Sequence, residues 1–226
     1  MQRCNLFNHS HKGLKALLYD TGMSLQHTDF WNIEEAGKII LRLREIISLF
    51  GKHAYGEDSF VLSEVKKYEP SVADAFEQYH EEGRGLAESL SGAVTAYETA
   101  AVITGKAWVA EKIIKLYNRF IVFHIDLMEK EEELLNPILW RYYSDQELAD
   151  MKKRVLSYLP APLHVKMNNW MLKGMNIGEI VGWLKNVEES NGGFIYEALL
   201  NSAEIALPWQ RFDMVIKGLE EQVAAA

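Results

Sequence analysis

Four stretches of the chain place a histidine on an apolar face with helical spacing, and two of these faces also carry a glutamate. The residues concerned are His11, His53, Glu57, His80, His124 and Glu131. A helix buries positions three and four apart, so each of these polar side chains must find a partner or a metal inside the protein. Burying two carboxylates without cations is costly, and imidazole together with carboxylate suits iron, manganese or zinc. The pattern therefore predicts a metal site in the protein interior.

Four long helices are needed to bring these side chains together. Apolar residues recur with a helical period, and no stretch alternates apolar and polar residues as a strand would. The residue before Pro70 is pushed out of the helical region, and Gly105 ends a later helix, so both residues mark breaks. The first predicted helix covers residues 7–22. The second begins at an N-cap among Thr28, Asp29 and Asn32 and ends near residue 68, and the third and fourth cover residues 71–104 and 107–140.

These elements predict an all-α protein with two parts. Short connections between long helices favour an up-down-up-down four-helix bundle over residues 1–143. Residues 144–226, broken by Pro160, Pro162 and Pro208, are predicted to form shorter helices. We expect this C-terminal extension to pack on the bundle.

Composition limits the classes of protein to which the chain can belong. Its net charge of -8 disfavours nucleic acid as a partner, and no uncharged apolar run reaches the ~18 residues of a membrane-spanning helix. The first residues lack the apolar region of a signal peptide, and the single cysteine, Cys4, excludes an intramolecular disulfide. We therefore expect a cytoplasmic protein that binds neither nucleic acid nor membrane.

The candidate residues lie in segments that resemble the hemerythrin-like (HHE cation-binding) family over residues 7–150. The segments are SHKGLKALLYDTG with His11, FGKHAYGEDSFVL with His53 and Glu57, YHEEGRGLAESL with His80, and MEKEEELLNPILWRYYSDQEL with Glu131. The resemblance implies a four-helix bundle that holds a bridged di-iron centre through histidine and carboxylate ligands. By position it gives ligand roles to these five residues, with Glu57 and Glu131 as the bridging carboxylates.

The fourth stretch departs from the family pattern. Counting back from Pro137, the position where the family has a histidine holds Leu127, which cannot bind a metal. His124 lies three residues earlier on the same face, about 4.5 Å along the helix axis, and we include it among the candidate ligands. Pairing His124 with Glu129 is an alternative to Glu131, although the ungapped downstream match favours Glu131. Two irons, one metal ion, and a transition metal other than iron all stay open.

Two functions compete. The first is a non-haem iron protein that binds or senses O2, NO, peroxide or iron itself through the histidine and glutamate ligands. The alternative is a helical interaction module that keeps the hemerythrin fold with an incomplete or lost metal site. An enzymatic role as a di-iron oxidase is less favoured, because such sites use more carboxylates than the two in register here. The sequence indicates no particular protein partner.

Overall fold

A computed structural model describes residues 3–191 and 193–224, and within these ranges the chain forms helices and no strand, as predicted. In chain order the helices are α1 (Asn8–His27), α2 (Ile33–Glu57), α3 (Ser63–Val65), α4 (Pro70–Thr99), α5 (Ile103–Lys130), α6 (Asn136–Tyr142), α7 (Asp145–Ser157), α8 (Ala161–Gly174), α9 (Ile177–Asn191), α10 (Gly193–Ala206) and α11 (Trp209–Ala224). Two π-helical turns lie among them, the first π turn at Asp58–Leu62 and the second at Glu131–Leu135. None of the helices in the described part of the chain has the length and apolarity needed to cross a membrane.

Helix starts coincide with residues that favour them. The side chain of Asn32 accepts hydrogen bonds from two backbone N–H groups in the first turn of α2, which would otherwise lack partners. Pro70 occupies the start of α4, where its missing N–H removes no helical hydrogen bond. Local sequence therefore sets where two of the helices that carry candidate residues begin.

Two of the predicted long helices are not continuous α-helices. The helix predicted to end at residue 68 enters the first π turn directly after Glu57, and the helix predicted over 107–140 enters the second at Glu131. A π turn bonds residues five apart instead of four, so it accommodates one extra residue and re-aims the side chains around it. The spacing of apolar residues in the sequence does not reveal the one residue that each π turn adds to a helix. Both π turns adjoin candidate carboxylates.

Contacts divide the chain into two compact units, and the first consists of Met1–Asn8 with Leu17–Pro160. Here α4 packs against both α2 and α5, and α7 contacts α2. Phe76, Leu139 and Leu148 belong to the hydrophobic core of this unit and are almost fully buried. Burying side chains of this size contributes roughly 1.5–3 kcal/mol each. This packing fixes the helices that carry most of the candidate residues.

The second unit consists of His9–Ala16 with Ala161–Ala226, so α1 contributes residues to both units. Within this unit α9 packs against α10 and α11, and α8 packs against α10. The backbones of α1 and α8 approach closely, since a Cβ atom on Gly174 would meet the carbonyl oxygen of Lys12 at 2.2 Å. The helix α7, which the sequence prediction assigns to the C-terminal extension, falls in the first unit.

Candidate metal centre

A cavity of about 40 Å³ lies within the first unit, between α2, α4, α5 and the second π turn. Five of the six predicted ligands line it: His53, Glu57, His80, His124 and Glu131. Much of the remaining wall is apolar and includes Phe50, Ala87 and Leu127. A water molecule needs roughly 10–15 Å³ of such space, whereas pockets for organic ligands measure ~300–1,000 Å³. The cavity therefore suits a molecule of two or three heavy atoms.

Glu57 lies between two histidines. Its Oε1 atom is 3.1 Å from Nε2 of His53, and its Oε2 atom is 3.6 Å from Nε2 of His80. His53 comes from the preceding turn of α2, whereas His80 comes from α4. The side chain of Glu57 is 3% exposed. The two oxygens of one buried carboxylate thus face nitrogen atoms on different helices.

Glu131, the first residue of the second π turn, contacts the same histidine of α4. Its Oε1 atom is 3.0 Å from Nε2 of His80, and its side chain is 2% exposed. Glu129, the alternative carboxylate from the sequence, is exposed. Burial therefore favours Glu131 over Glu129, and both buried glutamates approach one ring nitrogen of His80.

Two overlapping groups of ligand atoms share the buried glutamates. The ligand atoms of His53, Glu57 and Glu131 all lie within 4.8 Å of one another, whereas His11, which belongs to the second unit, is fully buried. Bonds of about 2.0–2.2 Å to nitrogen and oxygen place ligand atoms on opposite sides of a metal ion about 4 Å apart, so this spacing suits one ion. The contacts of His80 with Glu57 and Glu131 form the other group.

Asp58 is a residue of the site that the sequence pattern did not single out. Its Oδ1 atom is 2.5 Å from Nδ1 of His80, the ring nitrogen that does not face the glutamates. A carboxylate bonded to the second nitrogen of a metal-ligating histidine fixes its tautomer and orientation. Successive residues of an α-helix point about 100° apart, but Asp58 begins the first π turn directly after Glu57. The feature of the sequence that could have identified Asp58 is its position as a second acid directly after Glu57.

Arg84 connects this arrangement to the protein surface. Its Nη1 atom is 3.2 Å from Oδ2 of Asp58, and its Nε atom is 2.8 Å from Oε2 of Glu81. The side chain is 44% exposed and also lines the cavity. A continuous series of contacts therefore runs from solvent through Arg84 and Asp58 to His80.

The neighbouring acids change the proton affinity of His80. Burial alone lowers its pKa, but the hydrogen bonds to Asp58 and Glu131 and the charge of Glu57 outweigh burial and raise the pKa to about 10. His124 behaves in the opposite way, since burial lowers its pKa to about 3. In the metal-free protein near neutral pH, His80 is a cation and His124 is a neutral imidazole.

The donor set fits a divalent transition metal. Glu57 and Glu131 are buried acids whose neighbours are imidazole nitrogens, and imidazole with carboxylate suits iron, manganese or zinc. A metal ion would replace the proton that His80 holds between the acids, since ligating imidazoles are neutral. The metal would then neutralise the buried negative charge without a further basic side chain.

Comparison with known proteins identifies no relative. No family model, no curated protein and no solved structure matches the chain. The resemblance to the hemerythrin-like family therefore stays a prediction that rests on the quoted segments.

Proposed function

We propose that the chain is a hemerythrin-like protein that binds iron and, at the iron, a small ligand such as O2 or NO. The proposed metal ligands are His11, His53, Glu57, His80 and Glu131. In this proposal the helices of the first part of the chain have the up-down-up-down bundle arrangement of the family. Bound iron would supply the chemistry of ligand binding, and the chain would supply its position and its dry surroundings.

The main support for a two-metal centre is the position of the two buried glutamates. Glu57 directs one oxygen towards His53 and the other towards His80. Glu131 belongs to the same group of ligand atoms as His53 and also contacts His80. A carboxylate that serves two groups of ligands in this way can bridge two ions, as in carboxylate-bridged centres of helical bundles. A single ion would use one of the groups.

The size of the cavity supports a small ligand over an organic substrate. About 40 Å³ of space is enough for a diatomic molecule but far below the volume of ordinary substrate pockets. The apolar walls from Phe50, Ala87 and Leu127 would keep bulk water from such a ligand. A binding or sensing role therefore has more support than oxidation of an organic compound.

One observation favours the alternative of an interaction module without metal. Protonated His80 hydrogen-bonds Asp58 and Glu131 and lies near Glu57, so its proton alone offsets part of the buried negative charge. A bundle that had lost its metal could be stabilised by this network. The two candidate functions differ in whether the acids need a metal cation.

Metal content separates the two candidates. We expect about one to two irons per chain after anaerobic reconstitution with Fe(II), measured by elemental analysis, because both glutamates must be ligated. Glu131→Gln should lose at least one of these irons, whereas Glu133→Gln, the same change at an exposed position two residues away, should lose none. Fewer than about one iron per wild-type chain, or equal losses in both variants, would contradict the iron-binding function.

A further inference from the structure

The ring nitrogen Nε2 of His124 is a buried polar atom at the wall of the cavity. His124 is 8% exposed and lines the cavity. Among the described residues no hydrogen-bond partner reaches its Nε2 atom. Buried polar atoms in proteins are almost always hydrogen-bonded, so this atom requires an explanation.

Aromatic side chains hold the His124 ring in place. Its centroid lies 4.5 Å from that of Phe50, 4.1 Å from Phe120 and 5.3 Å from Phe123. The edge of the ring faces Gly83 of α4, where a Cβ atom would come within 3.1 Å of Cε1 and 3.7 Å of Nε2. The ring therefore has little freedom to turn, and its Nε2 edge stays at the cavity wall.

The surroundings of His124 differ from those of the other histidines in the cavity. His53 and His80 each bring Nε2 within 3.1 Å of a buried glutamate oxygen. The His124 ring contacts Phe50, Phe120 and Phe123, and its Nε2 atom has no hydrogen-bond partner among the described residues. Leu127, three residues later, adds an apolar side chain to the same cavity. His124 therefore contacts aromatic rings, whereas His53 and His80 each contact a buried carboxylate.

We propose that His124 is not a metal ligand but a specificity-determining residue, which donates a hydrogen bond from Nε2–H to a small ligand in the cavity. The inference rests on the proposed iron-binding function. It gives His124, which the sequence predicts as a sixth metal ligand, a different role. The ligand that fits is a molecule of two or three atoms with an exposed lone pair, such as NO or O2. Leu127 provides the apolar wall beside it and competes for neither the metal nor the hydrogen bond.

The test uses the full chain reconstituted anaerobically with Fe(II), with NO as the probe. His124→Phe keeps an aromatic ring in the aromatic surroundings and removes the hydrogen bond, and His124→Gln restores a donor. His27→Phe, at an exposed histidine at the end of α1, is the matched control. Iron content, helical content and the rate of NO release are measured for all four proteins.

We expect all four proteins to hold the same amount of iron. NO should leave His124→Phe roughly tenfold faster than wild type, as expected for one lost hydrogen bond, and His124→Gln should recover part of the difference. The control should match wild type. If the phenyl ring does not fit and the variant loses helical content, His124→Leu replaces it in the same comparison.

Three results would overturn the inference. Loss of iron in folded His124→Phe or His124→Leu would make His124 a metal ligand. Unchanged iron with unchanged NO release would reduce His124 to a packing residue. Absence of iron in the wild-type chain would instead refute the proposed function itself, and the inference would fall with it.

Discussion

The Nδ1 atom of His80 lies 2.5 Å from Oδ1 of Asp58, while its Nε2 atom lies 3.0 Å from Oε1 of Glu131. One imidazole is therefore held between two acids on opposite ring nitrogens. Asp58 accepts a hydrogen bond in turn from Arg84, a partly exposed residue that also lines the cavity. This arrangement orients Nε2 towards the buried glutamates before any metal arrives.

Replacing Asp58 by Asn should weaken metal binding without unfolding the protein. The amide can still accept a hydrogen bond from His80, but it lacks the charge that makes the imidazole a better ligand. Losses of about 10–100-fold in metal affinity are typical for such outer partners. Competition with a chromophoric chelator measures the affinity. Asp74→Asn, at an exposed acid paired with Lys66, should leave it unchanged, and equal affinities in all three proteins would refute the role of Asp58.

The stability of the metal-free protein should fall as the pH rises from about 6.5 to about 10. Folded His80 keeps its proton up to about pH 10, whereas the unfolded chain releases it near the ordinary value of 6.5. Below that value both states hold the proton and the stabilisation is fully present. Above it the folded state binds more protons than the unfolded state, so the free energy of unfolding decreases with pH.

Urea unfolding in the presence of chelator, at about pH 6 and about pH 9, measures this decrease. His80→Gln removes the titrating group, so the variant should lose the part of the pH dependence that His80 contributes. Identical pH dependence in the variant and the wild type would show that His80 is not the group responsible.

Removing the metal should lower the melting temperature. A metal at about 1,000 times its dissociation constant stabilises the folded state by ~4 kcal/mol, and each kcal/mol shifts the melting temperature by ~2–4 °C in a chain of this size. We therefore expect the melting temperature to drop by about 8–16 °C when chelator is added to the iron-loaded protein. Circular dichroism measures the melting temperature. Glu131→Gln should respond much less. An unchanged melting temperature in the wild type would favour the interaction module.

Two glycines of α4 should respond in opposite ways to substitution by alanine. A Cβ atom on Gly83 would lie 3.1 Å from Cε1 of His124 and 3.2 Å from Cε1 of Phe123, so Gly83→Ala should destabilise the fold by ~1–3 kcal/mol through overpacking. A Cβ atom on Gly85 meets nothing within 4 Å, and Gly85→Ala should stabilise the helix by ~0.5–1 kcal/mol. Denaturant midpoints compare the two, and equal shifts would exclude crowding at Gly83.

The helical spacing of apolar residues was sufficient to identify most of the polar residues that line the cavity. In the sequence five polar residues interrupt apolar faces, and all five line one cavity: His53, Glu57, His80, His124 and Glu131. A helix that buries one face carries every side chain of that register into the same interior. The all-helical fold follows from the same signal.

The contacts of His80 could not be predicted from the helical spacing of apolar residues. Asp58 lies one residue after Glu57, and an ideal α-helix would turn the two side chains about 100° apart, so helical register gives no reason to place both at one histidine. The choice of Glu131 over Glu129, by contrast, follows from helical register, and Glu131 is buried whereas Glu129 is exposed. Hydrogen-bond spacing within a helix depends on tertiary packing, and tertiary packing is not encoded in local periodicity.

At the two π turns the number of residues matters as much as which residues they are. A single-residue deletion within Asp58–Leu62 would remove the residue that the π turn accommodates and would let α2 continue as a regular α-helix. Val65, which is fully buried, would keep its place in the core, whereas Glu57 and Asp58 would point about 100° apart. A change of one residue in length at this turn would therefore separate the two acids that contact His80 while leaving the hydrophobic core in place.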